Sequence, residues 1–199
     1  MSLAEQALQY GDDHEAASLF GRLAKTGNAA AEYWLAQMTE NGRGVSRNPG
    51  KAIKLYAKSA KQNFTKAEVR LGEIYLDGNL VPPSPKRARG YLKDAAYGGN
   101  AHAATLLGEI YRDGIGVPAN SSTADAWFEV ANLEGSAFAR RERGTSFREL
   151  SAADKQGVIT RTQKILKTIK RTAAGRPVDN PNKSSKSATL AQSGLAHMS

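Results

Sequence analysis

The sequence predicts an all-α solenoid of stacked helix pairs ending in a capping helix, and three observations predict it. The first is a period of 36 residues. Ala31, Ala67 and Ala103 share a column, as do Leu35, Leu71 and Leu107, then Met38, Ile74 and Ile110, and then Ala52, Ala88 and Ala124. A period of about 20–50 residues marks stacked supersecondary units, none of which can bury its apolar face alone. The second is apolar spacing at helical intervals in both halves of each unit. The third is punctuation: Asn41-Gly42, Asp77-Gly78 and Asp113-Gly114 stand where the first helix of each unit stops, because glycine takes the left-handed conformation at a helix C-terminus without steric cost.

Taken in order, Leu3, Ala4, Ala7 and Leu8 form one face of a short helix that Gly11 breaks. Residues Glu15 to Lys25 carry Ala16, Leu19, Phe20, Leu23 and Ala24 on one stripe and stop at Gly27-Asn28. Ala16, Leu19 and Phe20 recur as Ala52, Leu55 and Tyr56, so the chain opens on a half unit. Each full unit then reads as helix A, a loop, helix B and a turn. Helix A of the first is Ala29 to Glu40, and the loops RGVSRNPG, NLVPPSPK and IGVPANSS each return a valine, Val45, Val81 or Val117, to the core. The B helices are Gly50 to Lys61, Pro85 to Tyr97 and Thr123 to Leu133, with Ser84 and Ser122 as expected N-caps. Their inner faces alternate large and small: Ala52, Leu55, Tyr56 and Ser59, then Ala88, Tyr91, Leu92 and Ala95, then Ala124, Trp127, Phe128 and Ala131. Such a surface accepts a neighbouring helix.

The helix from Phe138 to Leu150 loses the following Gly-x-Gly-Val loop, so the array ends there. A last helix starts at Ser151, with Asp154 at capping-box spacing, and carries Val158, Ile159, Thr162, Ile165, Leu166 and Ile169 on one face. Lys155, Arg161, Lys164, Lys167, Lys170 and Arg171 lie on the other, as the outer face of a solenoid cap requires. The expected organisation is a half repeat or cap at 1–28, repeats at 29–64, 65–100 and 101–136, capping helices at 137–172 and a disordered tail at 173–199. About seven or eight helices are expected in all.

The pattern A-x-x-x-L-G-x-x-Y-x-x-G-x-x-V followed by A-x-x-(W/Y)-x-x-x-A resembles the Sel-1-like repeat family. Ala67, Leu71, Gly72, Tyr75, Gly78, Val81, Ala88, Tyr91 and Ala95 carry the resemblance in one unit. Ala103, Leu107, Gly108, Tyr111, Gly114, Gly116, Val117, Ala124, Trp127 and Ala131 carry it in the next. Leu80 departs from it at the second loop glycine. The resemblance implies a right-handed α-solenoid of tetratricopeptide-like helix pairs, scaffold or adaptor work in protein assemblies, no catalytic set and no cofactor. The opening LAEQALQYGDDHEAASLF is similar to the start of alginate-secretion scaffold lipoproteins, which implies an envelope scaffold in exopolysaccharide biosynthesis or secretion as an alternative.

Composition narrows the chemistry. The chain has no cysteine, which removes disulfides and thiol catalysis. His14, His102 and His197 sit in different elements without metal-ligand spacing, so no catalytic, cofactor-binding or metal-binding residue is nominated. The glycine loops at Gly42-Arg43-Gly44-Val45 and Gly114-Ile115-Gly116-Val117 follow helices, the wrong polarity for phosphate. No apolar run reaches the roughly 18 residues of a transmembrane helix. Residues 1–137 balance 15 Lys and Arg against 15 Asp and Glu, so the net charge of +9 resides in residues 138–199. A basic end can attract nucleic acid or anionic membrane; the favoured reading is a solvated face.

What remains is binding on the A helices, which a solenoid presents as a concave surface. Candidate residues stand where the repeats differ, since packing does not fix them: Tyr33, Trp34, Gln37, Arg70, Glu73, Leu106, Glu109 and Arg112. Trp34, Arg70 and Arg112 are an aromatic and guanidinium set of the kind that anchors interfaces, unless Trp34 and Leu106 pack between neighbouring helices. Glu73, Glu109 and Arg112 are expected to face solvent. The expected partner is a protein or peptide, with nucleic acid disfavoured and a monomer expected. The location is cytoplasmic as the sequence stands, and periplasmic or outer-membrane-associated if an export signal precedes it.

Overall fold

In the computed structural model, residues 2–173 are described, and every regular element among them is an α-helix. The elements are α1 (Leu3–Tyr10), α2 (Asp13–Lys25), α3 (Ala29–Asn41), α4 (Pro49–Lys61), α5 (Thr65–Asp77), α6 (Pro85–Tyr97), α7 (Ala101–Asp113), α8 (Ser121–Leu133), α9 (Ala137–Glu149) and α10 (Ala152–Ala173). Among the described residues there are ten helices against the seven or eight expected, each coinciding with a segment read as helical from the sequence. Of the expected disordered tail, residues 174–199 lie outside the described residues.

The capping residues follow the period more closely than the sequence reading does. A helices begin at Asn28, Phe64, Asn100 and Ser136, one column 36 residues apart; Asn28, Asn100 and Ser136 each accept the N–H three residues on. B helices begin at Asn48, Ser84 and Asn120. Ser122, an expected N-cap, is instead inside α8. Asn120 caps that helix, accepting the Thr123 N–H at 2.8 Å. Ser84 occupies its cap position without a side-chain hydrogen bond. Its column holds asparagine at positions 48 and 120, and both of those side chains accept the amide three residues on. The loop closes onto helix A by the same backbone bond in two units, Asn48 N–H to Thr39 at 2.9 Å and Asn120 N–H to Tyr111 at 2.7 Å.

The chain divides into two compact units, Met1–Pro83 and Ser84–Ser199. In the first, consecutive helices α1 to α5 pack on one another. Its apolar centre gathers Ala4, Ala7, Ala16, Ala17, Phe20, Ala31, Leu35 and Met38, with Trp34, Val45 and Leu55 packed against it. Small residues dominate that set, so the helix backbones approach closely. Tyr56 of α4 is fully buried, and its hydroxyl donates to Glu40 Oε2 of α3 at 2.8 Å.

In the second unit α6 packs on α7, α7 on α8 and α8 on α9. Leu92, Leu107, Ile110, Phe128 and Val130 are fully buried there. A Cβ at Gly108 would lie 2.4 Å from the Phe128 ring, so α7 meets α8 with no room for a side chain at that position. Helix α10 does not take the place a fourth B helix would have. It packs against α8 and α6 through the buried Val158, Thr162, Leu166 and Ile169. The connection explains this: seven-residue loops such as 42–48 separate α3 from α4, whereas only Leu150 and Ser151 separate α9 from α10. Ser151 caps α10, accepting the Asp154 N–H at 3.1 Å. The cap expected from the sequence is therefore present, and it covers B helices.

Candidate functional site

In the first unit, the nominated side chains of α3 and α5 are engaged with one another or with neighbouring helices. Tyr33 lies 5.3 Å from Trp34, 5.7 Å from Tyr56 and 5.4 Å from Phe64, centroid to centroid. Trp34 stacks on Phe20 of α2 at 6.2 Å and 23°, with Lys66 Nζ 5.6 Å from its ring centroid. Both rings are half-buried. Gln37 is half-buried too, and its carbonyl accepts Asn41 Nδ2 at 2.9 Å.

Arg70 and Glu73 belong to an ion-pair network. Arg70 donates through Nη2 to Glu40 Oε1, through Nε to Glu40 Oε2 at 3.3 Å and through Nη1 to Glu73 Oε2 at 3.1 Å. The Glu40 side chain is 9% exposed and that of Arg70 28%. Burial alone would push the Glu40 carboxyl up, but hydrogen bonds from Arg70 and Tyr56 outweigh it and hold the group below the usual carboxylate range. The bond to Glu40 raises Arg70 against desolvation. Burial first, and then the bond to Glu40, raises the Tyr56 phenol. The arrangement is a lock between α3, α4 and α5, with the Glu40 carboxylate accepting three hydrogen bonds, two from Arg70 and one from the Tyr56 hydroxyl.

The signal for this lock is present in the sequence at an offset of 30, where the column analysis at 36 does not look. Arg70 meets Glu40, Arg112 meets Glu142, Arg43 meets Asp13 and Gln62 meets Glu32, each across 30 residues. Six residues short of the period is about one and two-thirds helical turns. In two of the pairs, Glu40 with Arg70 and Arg112 with Glu142, a residue late in one A helix thus faces one earlier in the next A helix. The charge order is Glu then Arg at 40 and 70, and Arg then Glu at 112 and 142.

In the second unit, the geometry of the nominated residues is different. Arg112 is exposed; it donates to Asp113 Oδ1 and Oδ2 at 2.7 and 3.0 Å and to Glu142 Oε2 at 2.7 Å, with its guanidinium 6.0 Å from the Phe128 centroid. Leu106 and Glu109 line an open depression of about 420 Å³, together with Ala101 and His102 of α7, Glu134 of the turn after α8 and Phe138 of α9. Phe138 is 39% exposed. Glu109 is half-buried, as is Glu73, so neither has the fully solvent-facing position expected; Arg112 does. Burial raises the Glu109 carboxyl, and the charges of Arg112 and His102 offset this only in part. Sequence reasoning named Leu106 and Glu109 but missed Glu134 and Phe138, which reach the same depression from the next turn and helix.

The basic face of α10 is a separate feature of this unit. Lys164, Lys167, Lys170 and Arg171 are exposed, while Arg161 Nη1 donates to Ser122 Oγ at 2.7 Å and Lys155 Nζ to the Arg148 carbonyl at 3.3 Å. The apolar face of the helix is already packed on α8 and α6. No described helix is long and apolar enough to cross a membrane. Among the described residues, no group of three or more His, Cys, Asp or Glu could hold a metal ion. His14 lies on α2 and His102 on α7; His197 lies outside the described residues.

Comparison with known proteins places this geometry. Residues 29–64, 65–100 and 101–136 each match the Sel1 repeat, and together they make up more than half of the chain. A Sel1 repeat protein from Oxalobacter formigenes has a similar solved structure, with a TM-score of 0.59 and 27% identity over 63% of this chain and 95% of that one. A protective antigen present in uropathogenic Escherichia coli strains, displaying an SLR fold, gives a TM-score of 0.47 and 25% identity over 83% of this chain. This chain spans 44% of that antigen's length. No curated protein matches. The fold is the all-α helix-pair solenoid that the period predicts, its repeats are of a kind that generally serves as protein interaction scaffold, and the chain belongs to the Sel1 repeat family.

Proposed function

We propose that the chain is a non-catalytic adaptor that holds a protein or peptide partner on the surface of helix α7 and the start of α9. The observation that carries the reading is the contrast between equivalent positions. Arg70 of α5 is paired to both Glu73 and Glu40, whereas Leu106 and Glu109, in the same columns of α7, line an open depression with Phe138 exposed at its rim. An aromatic ring and a leucine left accessible beside a half-buried carboxylate are features of a contact surface. Membership of a family of interaction scaffolds supports the same reading.

The test is affinity capture from the native cell with the full chain and with a Leu106→Ala, Glu109→Ala variant, after circular dichroism has shown equal helix content. A protein retained by wild type and lost by the folded variant supports the site; an unchanged set of captured proteins overturns it. The exposed cluster Lys164, Lys167, Lys170 and Arg171 favours a second reading, attraction of a polyanion to α10. Because the apolar face of α10 is packed, that attraction would be electrostatic only, and it would weaken steeply with salt.

A further inference from the structure

We propose that the depression on α7 takes an arginine side chain of the partner, with the guanidinium on the Glu109 carboxylate and the methylene stem between Leu106 and Phe138. This inference rests on the adaptor reading and names what the adaptor recognises. It comes from a substitution inside the chain's own repeat. In α5 the pair is Arg70 and Glu73, three residues apart, with Nη1 3.1 Å from Oε2. Thirty-six residues later the pair is Leu106 and Glu109. The carboxylate is common to both repeats, and leucine stands in α7 where α5 has the cation.

Arg112 and His102 act on Glu109 by charge alone and replace that cation only in part. Glu109 makes no hydrogen bond or ion pair among the described residues. Arg112, one turn on, is directed to Asp113 and Glu142. A half-buried carboxylate without a hydrogen-bonded cation is unfavourable in the free protein, and burial pushes the Glu109 carboxyl up accordingly. A cation arriving from outside would relieve it. Glu134, which is itself engaged within the chain, borders the same lining.

The apolar lining selects the kind of cation. Leu106, Ala101 and the exposed ring of Phe138 suit an aliphatic stem and a flat, weakly hydrated head. Arginine has both: its planar guanidinium stacks on an aromatic face and meets a carboxylate through two parallel N–H donors. An ammonium is more strongly hydrated and presents a point charge, so lysine is the poorer occupant.

The probes are N-acetyl-Leu-Arg-Leu-amide and its citrulline and lysine counterparts, added at up to about 10 mM to the full chain and followed by amide NMR shifts. The expected result is shifts confined to residues 102–109 and 134–138, with the citrulline peptide at least about tenfold weaker and lysine between the two. Glu109→Gln should lose about tenfold with unchanged circular dichroism. Leu106→Arg should abolish binding while raising the urea midpoint, because it supplies internally the cation that Arg70 supplies in α5. Equal binding of the arginine and citrulline peptides, no shift with arginine, or undiminished binding by Leu106→Arg overturns the inference. If those results come with a cellular partner still lost on Leu106→Ala, Glu109→Ala, the arginine inference falls and the adaptor reading stands. If the partner is retained as well, both fall.

Discussion

Replacing Gly108 by alanine probes how closely α7 and α8 are joined, and through them the floor beneath the proposed site. An alanine Cβ would lie 2.4 Å from Phe128 Cε1 and 2.5 Å from Cδ1, more than 1 Å inside the roughly 3.5–4.0 Å of a carbon contact. Phe128 is 1% exposed, so its ring cannot swing into solvent and the two helices must separate. Overpacking of this severity belongs at the upper end of the usual range, about 3 kcal/mol. Alanine recovers about 1 kcal/mol of helix propensity over glycine, which leaves a net loss of about 2 kcal/mol. The assay is urea unfolding, read by far-ultraviolet circular dichroism and by tryptophan fluorescence; Trp127 lies in the second unit and Trp34 in the first. The change should appear as a lower midpoint with unchanged slope, and Trp127 should report it. Phe128→Leu makes room for the added methyl group, so the double variant should be more stable than the two single losses sum to, by about 1–2 kcal/mol. A Gly108→Ala protein stabilised by about 1 kcal/mol would show propensity acting unopposed, and would refute the close approach.

Three further outcomes are expected. Glu40 titrates below its unfolded value, so its contribution is complete above about pH 4.3 and disappears as pH falls through the folded value; Glu40→Gln should cost about 1–3 kcal/mol at pH 7 and shrink the acid-side loss of stability, measured as urea midpoints from pH 3 to 7. Asn63 holds φ 61° where Gly27, Gly99 and Gly135 occupy the same column, so Asn63→Gly should raise stability by a few tenths to about 1 kcal/mol in the same assay. Changing Lys164, Lys167, Lys170 and Arg171 together to glutamine should leave helix content intact and remove any salt-sensitive retention on heparin, while binding of a protein partner at α7 is unaffected.

The elements of the fold were legible because the 36-residue period repeats both packing and punctuation. Gly42, Gly78 and Gly114 end three A helices in the left-handed conformation, and the large and small residues of the B helices are buried except Leu55 and Tyr91, which are half-buried. Where the reading missed, it had set the period aside. Ser122 has a capping side chain but lies inside α8, whereas the column of Asn48 and Ser84 points to Asn120. The course of α10 was not legible from its amphipathic pattern, which gives a buried face without saying which helix covers it; the short link at Leu150 and Ser151 is the physical cause. For the site, variable columns found Leu106 and Glu109, but variability alone cannot separate an open position from one satisfied internally. Arg70 varies because Glu40 is its partner, and that pairing lies at an offset of 30. The same comparison makes Glu109 informative: it has the carboxylate of Glu73 without an arginine three residues before it.

The most direct test of the adaptor account is a photo-crosslinking amino acid placed at position 106 of the full chain in the native cell, with position 167 on α10 as the comparison. The account predicts a crosslinked protein from position 106 that is absent from position 167 and is reduced by Glu109→Gln. Crosslinks from position 167 alone, or none from position 106, would contradict it.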